Sequence, residues 1–183
     1  MASHHPHPLL FVDGYNIIGA WPQLIKLRNR QGLEEARHYL IEILANYSAY
    51  KSFQTRIVFD AYAQKAPSLA ETVTQHLSVH YTSFGQTADS YIEKWCAENR
   101  VQIRCSQQRL IVATSDRAQQ LTVVGYGAEW MSANQLAQDV SLAVKGSRQH
   151  RKKSAQGASQ KLMHALTPET QKALQKMRFG HLR

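Results

Sequence analysis

Four aspartates, Asp13, Asp60, Asp89 and Asp116, are the residues of this chain whose type and spacing most directly suggest chemistry. Three of them stand behind short apolar runs: Leu9-Leu10-Phe11-Val12, Arg56-Ile57-Val58-Phe59 and Leu110-Ile111-Val112-Ala113-Thr114-Ser115. Asp89 opens an amphipathic stretch behind a further strand candidate. In an open α/β sheet, side chains at the carboxyl ends of parallel strands converge on one edge. Carboxylates gathered there repel one another unless a positive charge stands among them. A hard divalent ion, Mg²⁺ or Mn²⁺, meets that need with oxygen ligands. The pattern therefore points to metal-dependent phosphate chemistry.

Taken singly, each aspartate also suits a turn or a helix N-cap. Capping alone would draw on Ser, Thr and Asn as well, and here all four positions are Asp. The expected ligands are Asp13, central or bridging, with Asp89 and Asp116 completing the set. Asp60 serves either as a ligand or as a hydrogen-bond acceptor behind them. Glu93, one helical turn after Asp89, is either a further catalytic carboxylate or a surface partner of Lys94 or Arg100. Asn16 either orients a water or a scissile phosphate or closes a turn. Gly14, without a side chain, admits close approach behind Asp13. Thr114 and Ser115 either bond phosphate oxygens or cap the helix at Asp116, and Tyr15 and Tyr62 either stack on an unpaired base or pack in the core.

The elements that must position these groups follow from periodicity. Leu9 to Val12 and Arg56 to Phe59 read as buried strands, followed by strand candidates over Leu77 to Phe84, Leu110 to Ser115 and Ala128 to Met131. Leu33, Ala36, Leu40, Ile43, Leu44 and Tyr47 recur at helical spacing, which predicts a helix from Leu33 to Tyr50. A short helix is expected over Leu69 to His76, another from Asp89, and another from Arg117 to Val123, ended by Gly125 and Gly127. Ser132 with Gln135 forms a capping box that opens a helix running to about Lys145. Strands alternating with helices imply βαβ units and a mostly parallel sheet.

At 183 residues and 43% hydrophobic content, the chain has the material for one globular core. No apolar run approaches the roughly 20 residues of a membrane helix. Cys96 and Cys105 suggest neither a disulfide framework nor a zinc site, and a reducing cytoplasm is the expected setting. The net charge of +9 is unevenly placed. Residues 1–144 carry 12 Lys+Arg and 12 Asp+Glu, whereas 145–183 carry 10 Lys+Arg and a single acid, Glu169. A neutral body with a basic tail suits a polyanion, and Arg148, Arg151, Lys152 and Lys153 are the expected RNA-binding residues. The division expected is a catalytic domain over 9–145 and a basic linker with a short C-terminal helix over 146–183. Thr167-Pro168-Glu169 starts that helix with an N-cap, a proline in the first turn and an acid.

Phe11-Val12-Asp13-Gly14-Tyr15-Asn16, Val58-Phe59-Asp60-Ala61-Tyr62, Thr87-Ala88-Asp89-Ser90-Tyr91-Ile92-Glu93 and Ala113-Thr114-Ser115-Asp116, in this order, resemble the YacP-like branch of the NYN domains, which are PIN-like ribonucleases. Leu166-Thr167-Pro168-Glu169 with its basic helix is also similar to that branch, so the resemblance runs from about Leu9 to Gly180. It implies a PIN-like three-layer α/β/α fold and endonucleolytic cleavage of single-stranded RNA at a Mg²⁺ or Mn²⁺ site. The family's acidic positions fall on Asp13, Asp89 and Asp116, its Asn on Asn16, and Asp60 follows the second strand. The acid that PIN domains place on an early helix has only Glu42 as a weak counterpart. The resemblance further implies turnover of mRNA, with the ribosome as an associated partner.

The expected reaction is in-line attack on an RNA phosphodiester by a metal-activated water, leaving a 5′-phosphate. The alternative is a catalytically inactive RNA- or ribosome-binding module of the same fold. A phosphatase of the haloacid-dehalogenase type would need an acid at position 15, where Tyr15 stands. A dinucleotide enzyme would need G-x-G-x-x-G behind the first strand, and none follows it.

Overall fold

The computed structural model describes residues 6–61, 68–105 and 108–147. Tyr62, the basic run Arg148 to Lys153 and the helix expected after Thr167 lie outside the described residues.

The chain begins with strand β1 (Leu9–Asp13), buried from Leu10 onward. Its unbroken apolar run suits a parallel strand covered on both faces. Three helices follow: α1 (Gly14–Ala20), α2 (Pro22–Gln31) and α3 (Leu33–Lys51). Periodicity along the chain announces only α3. Asp13 to Asn16 reads as a turn in the sequence, whereas Asp13 caps α1, and Pro22 opens α2 at a first-turn position where its missing N–H costs nothing.

Next come β2 (Gln54–Phe59), β3 (Leu69–Thr74), β4 (Leu77–Tyr81), α4 (Ala88–Glu98), α5 (Arg100–Cys105), β5 (Leu110–Ala113), α6 (Arg117–Gly125) and β6 (Glu129–Met131). A last helix, α7, covers residues 133–147. Its capping box is formed: the Gln135 amide donates to Ser132 Oγ at 3.1 Å and the Ser132 amide to Gln135 Oε1 at 2.9 Å.

The helix expected over Leu69 to His76 is instead the edge strand β3, paired antiparallel with β4. Leu69-Ala70-Glu71 favours helix on its own, but Thr72-Val73-Thr74 is β-branched and finds β4 two residues away. The His76 amide donates to Thr74 Oγ1 at 3.1 Å and closes the hairpin turn.

The six strands form one sheet in the order β3-β4-β2-β1-β5-β6, parallel except for β3. One face carries Leu10, Val12, Ile57 and Ile111 beneath α1, α2, α3 and α7. The other carries Phe11, Val58 and Val112 beneath α4 and α6. The result is the expected three-layer α/β/α fold with a mostly parallel sheet. Trp21 Nε1 donates to the Ala133 carbonyl at 2.8 Å and ties the α1–α2 junction to α7. Cys96 is buried in α4 and Cys105 is exposed on α5, both as free thiols, on separate helices rather than on one.

Gly14 sits where the chain turns from β1 into α1. A Cβ there would stand 2.2 Å from the Phe59 ring. The group that requires the glycine is therefore an aromatic of the neighbouring strand's end. Gly14→Ala must displace Phe59, and a loss of about 1–3 kcal/mol of stability is expected in urea unfolding. An unchanged midpoint would show that the ring moves aside without cost.

Candidate active site at the carboxyl edge of the sheet

The chain leaves β1 toward β2 on one side and later returns to place β5 on the other. The boundary between β1 and β5 is thus the topological switch point, where open α/β sheets form their crevice. Asp13 ends β1 at the centre of this edge. Asp60 follows β2 directly, and Asp116 lies three residues beyond the end of β5. Asp89 is the second residue of α4, capped by Thr87, whose Oγ1 accepts from the Ser90 amide at 3.2 Å.

Three of the acids are held by backbone amides. Asp13 Oδ1 accepts from the Asn16 amide at 3.0 Å. Asp60 Oδ1 accepts a short hydrogen bond from the Ala88 amide, which ties the end of β2 to the start of α4. Asp116 Oδ1 accepts from the Ala118 and Gln119 amides at 2.7 and 3.2 Å. Asn16 Oδ1 accepts from the Ser115 amide at 2.7 Å and spans the crevice between β1 and β5. The turn reading of Asn16 is thus realised as a brace, and its side-chain N–H₂ makes no hydrogen bond among the described residues.

Asp13 and Asp89 are brought together. Asp13 is only 7% exposed, and Asp89 Oδ1 is buried without a hydrogen-bond donor. Burial raises the Asp13 carboxyl to about 7; the Asn16 amide opposes this, while Asp89 and then Asp60 add to it. Asp89 is also raised, by burial first and by the charges of Asp116 and Asp60, whereas its hydrogen bond with Asp13 lowers it. Both carboxyl groups are thus pushed upward, because burial and like charge at one place disfavour ionising the two together.

Asp60 and Asp116 act on this pair through their charge. Among the described residues, no three His, Cys, Asp or Glu side chains stand close enough to hold a metal ion by themselves. Of the expected ligands, Asp13 and Asp89 act directly on each other, and Asp116, held at the N-terminus of α6, acts on Asp89 through its charge. Glu93 is not among the charges acting on the pair. It lies a turn farther along α4, where it raises the Cys96 thiol, already pushed up by burial. Lys94 pairs with Glu98 at 3.9 Å rather than with Glu93. Glu42 is exposed on α3. Tyr15 packs on Phe59 with ring centroids 5.1 Å apart, and its hydroxyl accepts from Arg37 at 3.1 Å, which is the core reading. Thr114 is buried, and its Oγ1 accepts from the Asp116 amide at 3.0 Å.

One residue escaped sequence reasoning. Gln119 is 1% exposed, yet both polar atoms of its side chain lack a hydrogen bond. Its amide is bonded to Asp116, so it stands in the first turn of α6 beside the acidic edge. The available signal was a glutamine four residues before the buried Val123, on the inward face of α6.

The donor set fits a hard divalent cation. It consists of oxygens, it holds an unpartnered buried carboxylate oxygen, and both carboxyl groups of the pair are pushed upward. Mg²⁺ keeps most of its waters and takes one or two carboxylates from a protein, a demand that Asp13 and Asp89 would meet.

A three-layer α/β/α domain with a mostly parallel sheet and acids at its switch point defines the PIN-like class. The model of the YacP-like NYN domain matches residues 10–179, and the chain belongs to that family. It is 37% identical over 177 residues to the uncharacterized protein YacP of Bacillus subtilis, covering 95% of this chain and 98% of that one. The crystal structure of Rae1 (YacP) from Bacillus subtilis superposes with a TM-score of 0.65 at 34% identity, covering 94% of this chain and 95% of the other. A single-substitution mutant of Rae1 gives the same TM-score at 32% identity, over 93% and 99% of the two chains.

The raised Asp13 carboxyl has a consequence for stability. A folded-state value of about 7 lies above the unfolded value near 4, so this contribution is complete below about pH 4 and is lost as pH rises through 7. In metal-free buffer, stability should fall between about pH 4 and 7. Asp13→Asn should flatten that fall and gain on the order of a few kcal/mol at about pH 8. Denaturant unfolding across this range tests it; parallel profiles for the two proteins would show that Asp13 is not the titrating group.

Proposed function

We propose that the protein is a metal-dependent endoribonuclease that cleaves single-stranded RNA, with mRNA as the substrate and the ribosome as an associated partner. The observation that carries this reading is the pair of buried Asp13 and half-buried Asp89, which lacks a counter-charge among the described residues at the switch point of a PIN-like sheet.

Asp13 and Asp89 would hold the ion, with Asp116 and Asp60 adding negative potential around it. A bound Mg²⁺ or Mn²⁺ would neutralise the pair, polarise a phosphoryl oxygen and lower the pKa of an attacking water. Asn16, fixed by Ser115, presents its free N–H₂ to a phosphate oxygen. Glu93 takes no direct part in this scheme. The catalytic unit is 9–145, and the basic residues 146–183 hold the RNA backbone through Arg148, Arg151, Lys152 and Lys153. No helix among the described residues is long and apolar enough to cross a membrane, and the free thiols suit the cytoplasm.

The test is cleavage of an unstructured single-stranded RNA with and without Mn²⁺. Wild-type protein should cut only with the ion, and Asp13→Asn and Asp116→Asn should each lose at least about a hundredfold in rate. Mn²⁺ should also raise the melting temperature of the wild type and not that of Asp13→Asn. Equal cutting by all three proteins would dismiss the site. RNA binding without cutting would favour the inactive binding module.

The tail has its own test. Replacing Arg148, Arg151, Lys152 and Lys153 with Gln should reduce the slope of log affinity against log salt by about 0.7 for each phosphate that these side chains neutralise. A slope equal to that of the wild type would mean that the polyanion is held elsewhere.

A further inference from the structure

On the face of the sheet that carries α4, helical cover extends over β1 and β2. All six residues of β3 are exposed, and Ser78 and His80 of β4 are half-buried. Strand register lays two rows across this face. One runs Asp13, Val58, His80, Ala70; the other runs Phe11, Arg56, Ser78, Thr72. His80 therefore stands two strand spacings, about 10 Å, from Asp13 on the same side of the sheet.

Three side chains on this face hold one another in place. The His80 ring stacks on Tyr91 with centroids 4.6 Å apart and planes 29° apart. Arg56 Nη1 donates to the Tyr91 hydroxyl at 3.3 Å. The Arg56 guanidinium lies over the Phe11 ring, 5.2 Å from its centroid, and Phe11 is backed by Trp95 at 4.9 Å. Tyr91 belongs to α4, the same helix that carries Asp89.

Arg56 is half-buried and has no carboxylate partner among the described residues, although the acidic edge begins one row away. A pre-oriented, weakly hydrated guanidinium without a counter-ion suits a phosphate. Burial and Arg56 both lower the pKa of His80, which keeps it a neutral ring at neutral pH. A neutral aromatic pair beside a lone guanidinium is the combination that sequence-tolerant single-strand binders use, with rings for bases and a cation for the backbone. Beyond Arg56, the face continues into a groove of about 230 Å³ whose walls include Gln54, Thr72 and Ser78. These hydroxyls and amides suit sugar and phosphate oxygens.

We propose that Arg56, His80 and Tyr91 form the shelf on which the single-stranded RNA lies as it enters the acidic site, with Arg56 on a backbone phosphate and the His80–Tyr91 pair under a base. This rests on the reading of the protein as a nuclease of single-stranded RNA and supplies the part that the basic tail does not, the alignment of the strand beside Asp13.

The experiment measures binding of a labelled, unstructured RNA to the full chain by fluorescence anisotropy in EDTA, so that no cleavage intervenes. Arg56→Gln and Tyr91→Leu should each weaken binding about tenfold. Only Arg56→Gln should also reduce the salt slope, by about 0.7. Tyr91→Phe, which keeps the ring, should bind within about threefold of the wild type, and Arg56→Lys should retain the salt slope. Melting temperatures close to the wild type's confirm that the variants are folded. Wild-type affinity in both Arg56→Gln and Tyr91→Leu overturns the shelf and leaves the face to a protein partner. Binding that depends on Arg56 and Tyr91 in a protein that never cuts with Mn²⁺ overturns the nuclease reading alone. Cutting by a protein whose RNA affinity ignores both residues overturns the shelf alone.

Discussion

Two carboxyl groups without a counter-charge among the described residues meet where β1 ends and α4 begins, and the rest of the architecture keeps them there. Asp13 comes from the central strand of the sheet, and Asp89 comes from a helix that returns over one face. Burial and mutual repulsion work against ionising both. A proton can occupy the pair, and so can a cation. The site is thus built around a charge deficit that the fold itself does not fill.

Holding like charges together requires rigid supports, and they are backbone amides. Asp60 joins the end of β2 to the first residue of α4 and so fixes where Asp89 stands. Asn16 crosses from α1 to the loop behind β5 and keeps the crevice at one width. Asp116 is anchored by two amides of α6. Capping and electrostatic roles are therefore not alternatives for these acids. Each cap uses Oδ1, and the second oxygen of Asp60 and of Asp116 stays outside those bonds. A helix N-terminus also favours a nearby negative charge, which lowers the cost of gathering four of them.

The two faces of the sheet serve different ends. The face under α1, α2, α3 and α7 is closed by Trp21, Leu40, Leu44 and Leu136 and supplies the larger core. The opposite face is covered by α4 and α6 near β1 and β5, while its β4–β3 flank stays open. The antiparallel strand β3 widens the sheet past its last covering helix. Arg56, His80 and Tyr91 occupy that margin, where a side chain is ordered by its neighbours yet still reaches solvent.

Much of this was legible in the chain. β1, β5 and the last three residues of β2 are apolar on both faces, so short hydrophobic runs announced them, and each leads into an aspartate that strand geometry must send to the same edge. Helix α3 and the Ser132–Gln135 box were equally plain, because their signals are local. The failures share a cause. β3 is a strand because β4 is beside it, not because Leu69-Ala70-Glu71 prefers extension. α1 and α2 are short, and Gly14 and Pro22 disguise them as punctuation. Sequence by itself determined which acids lie at strand ends and which segments are buried, since periodicity and composition depend only on neighbours along the chain. Only the tertiary structure decided that Asp13 meets Asp89, that Asp116 stands beside them and that His80, Tyr91 and Arg56 assemble nearby, because those proximities follow from strand order and helix docking between distant residues.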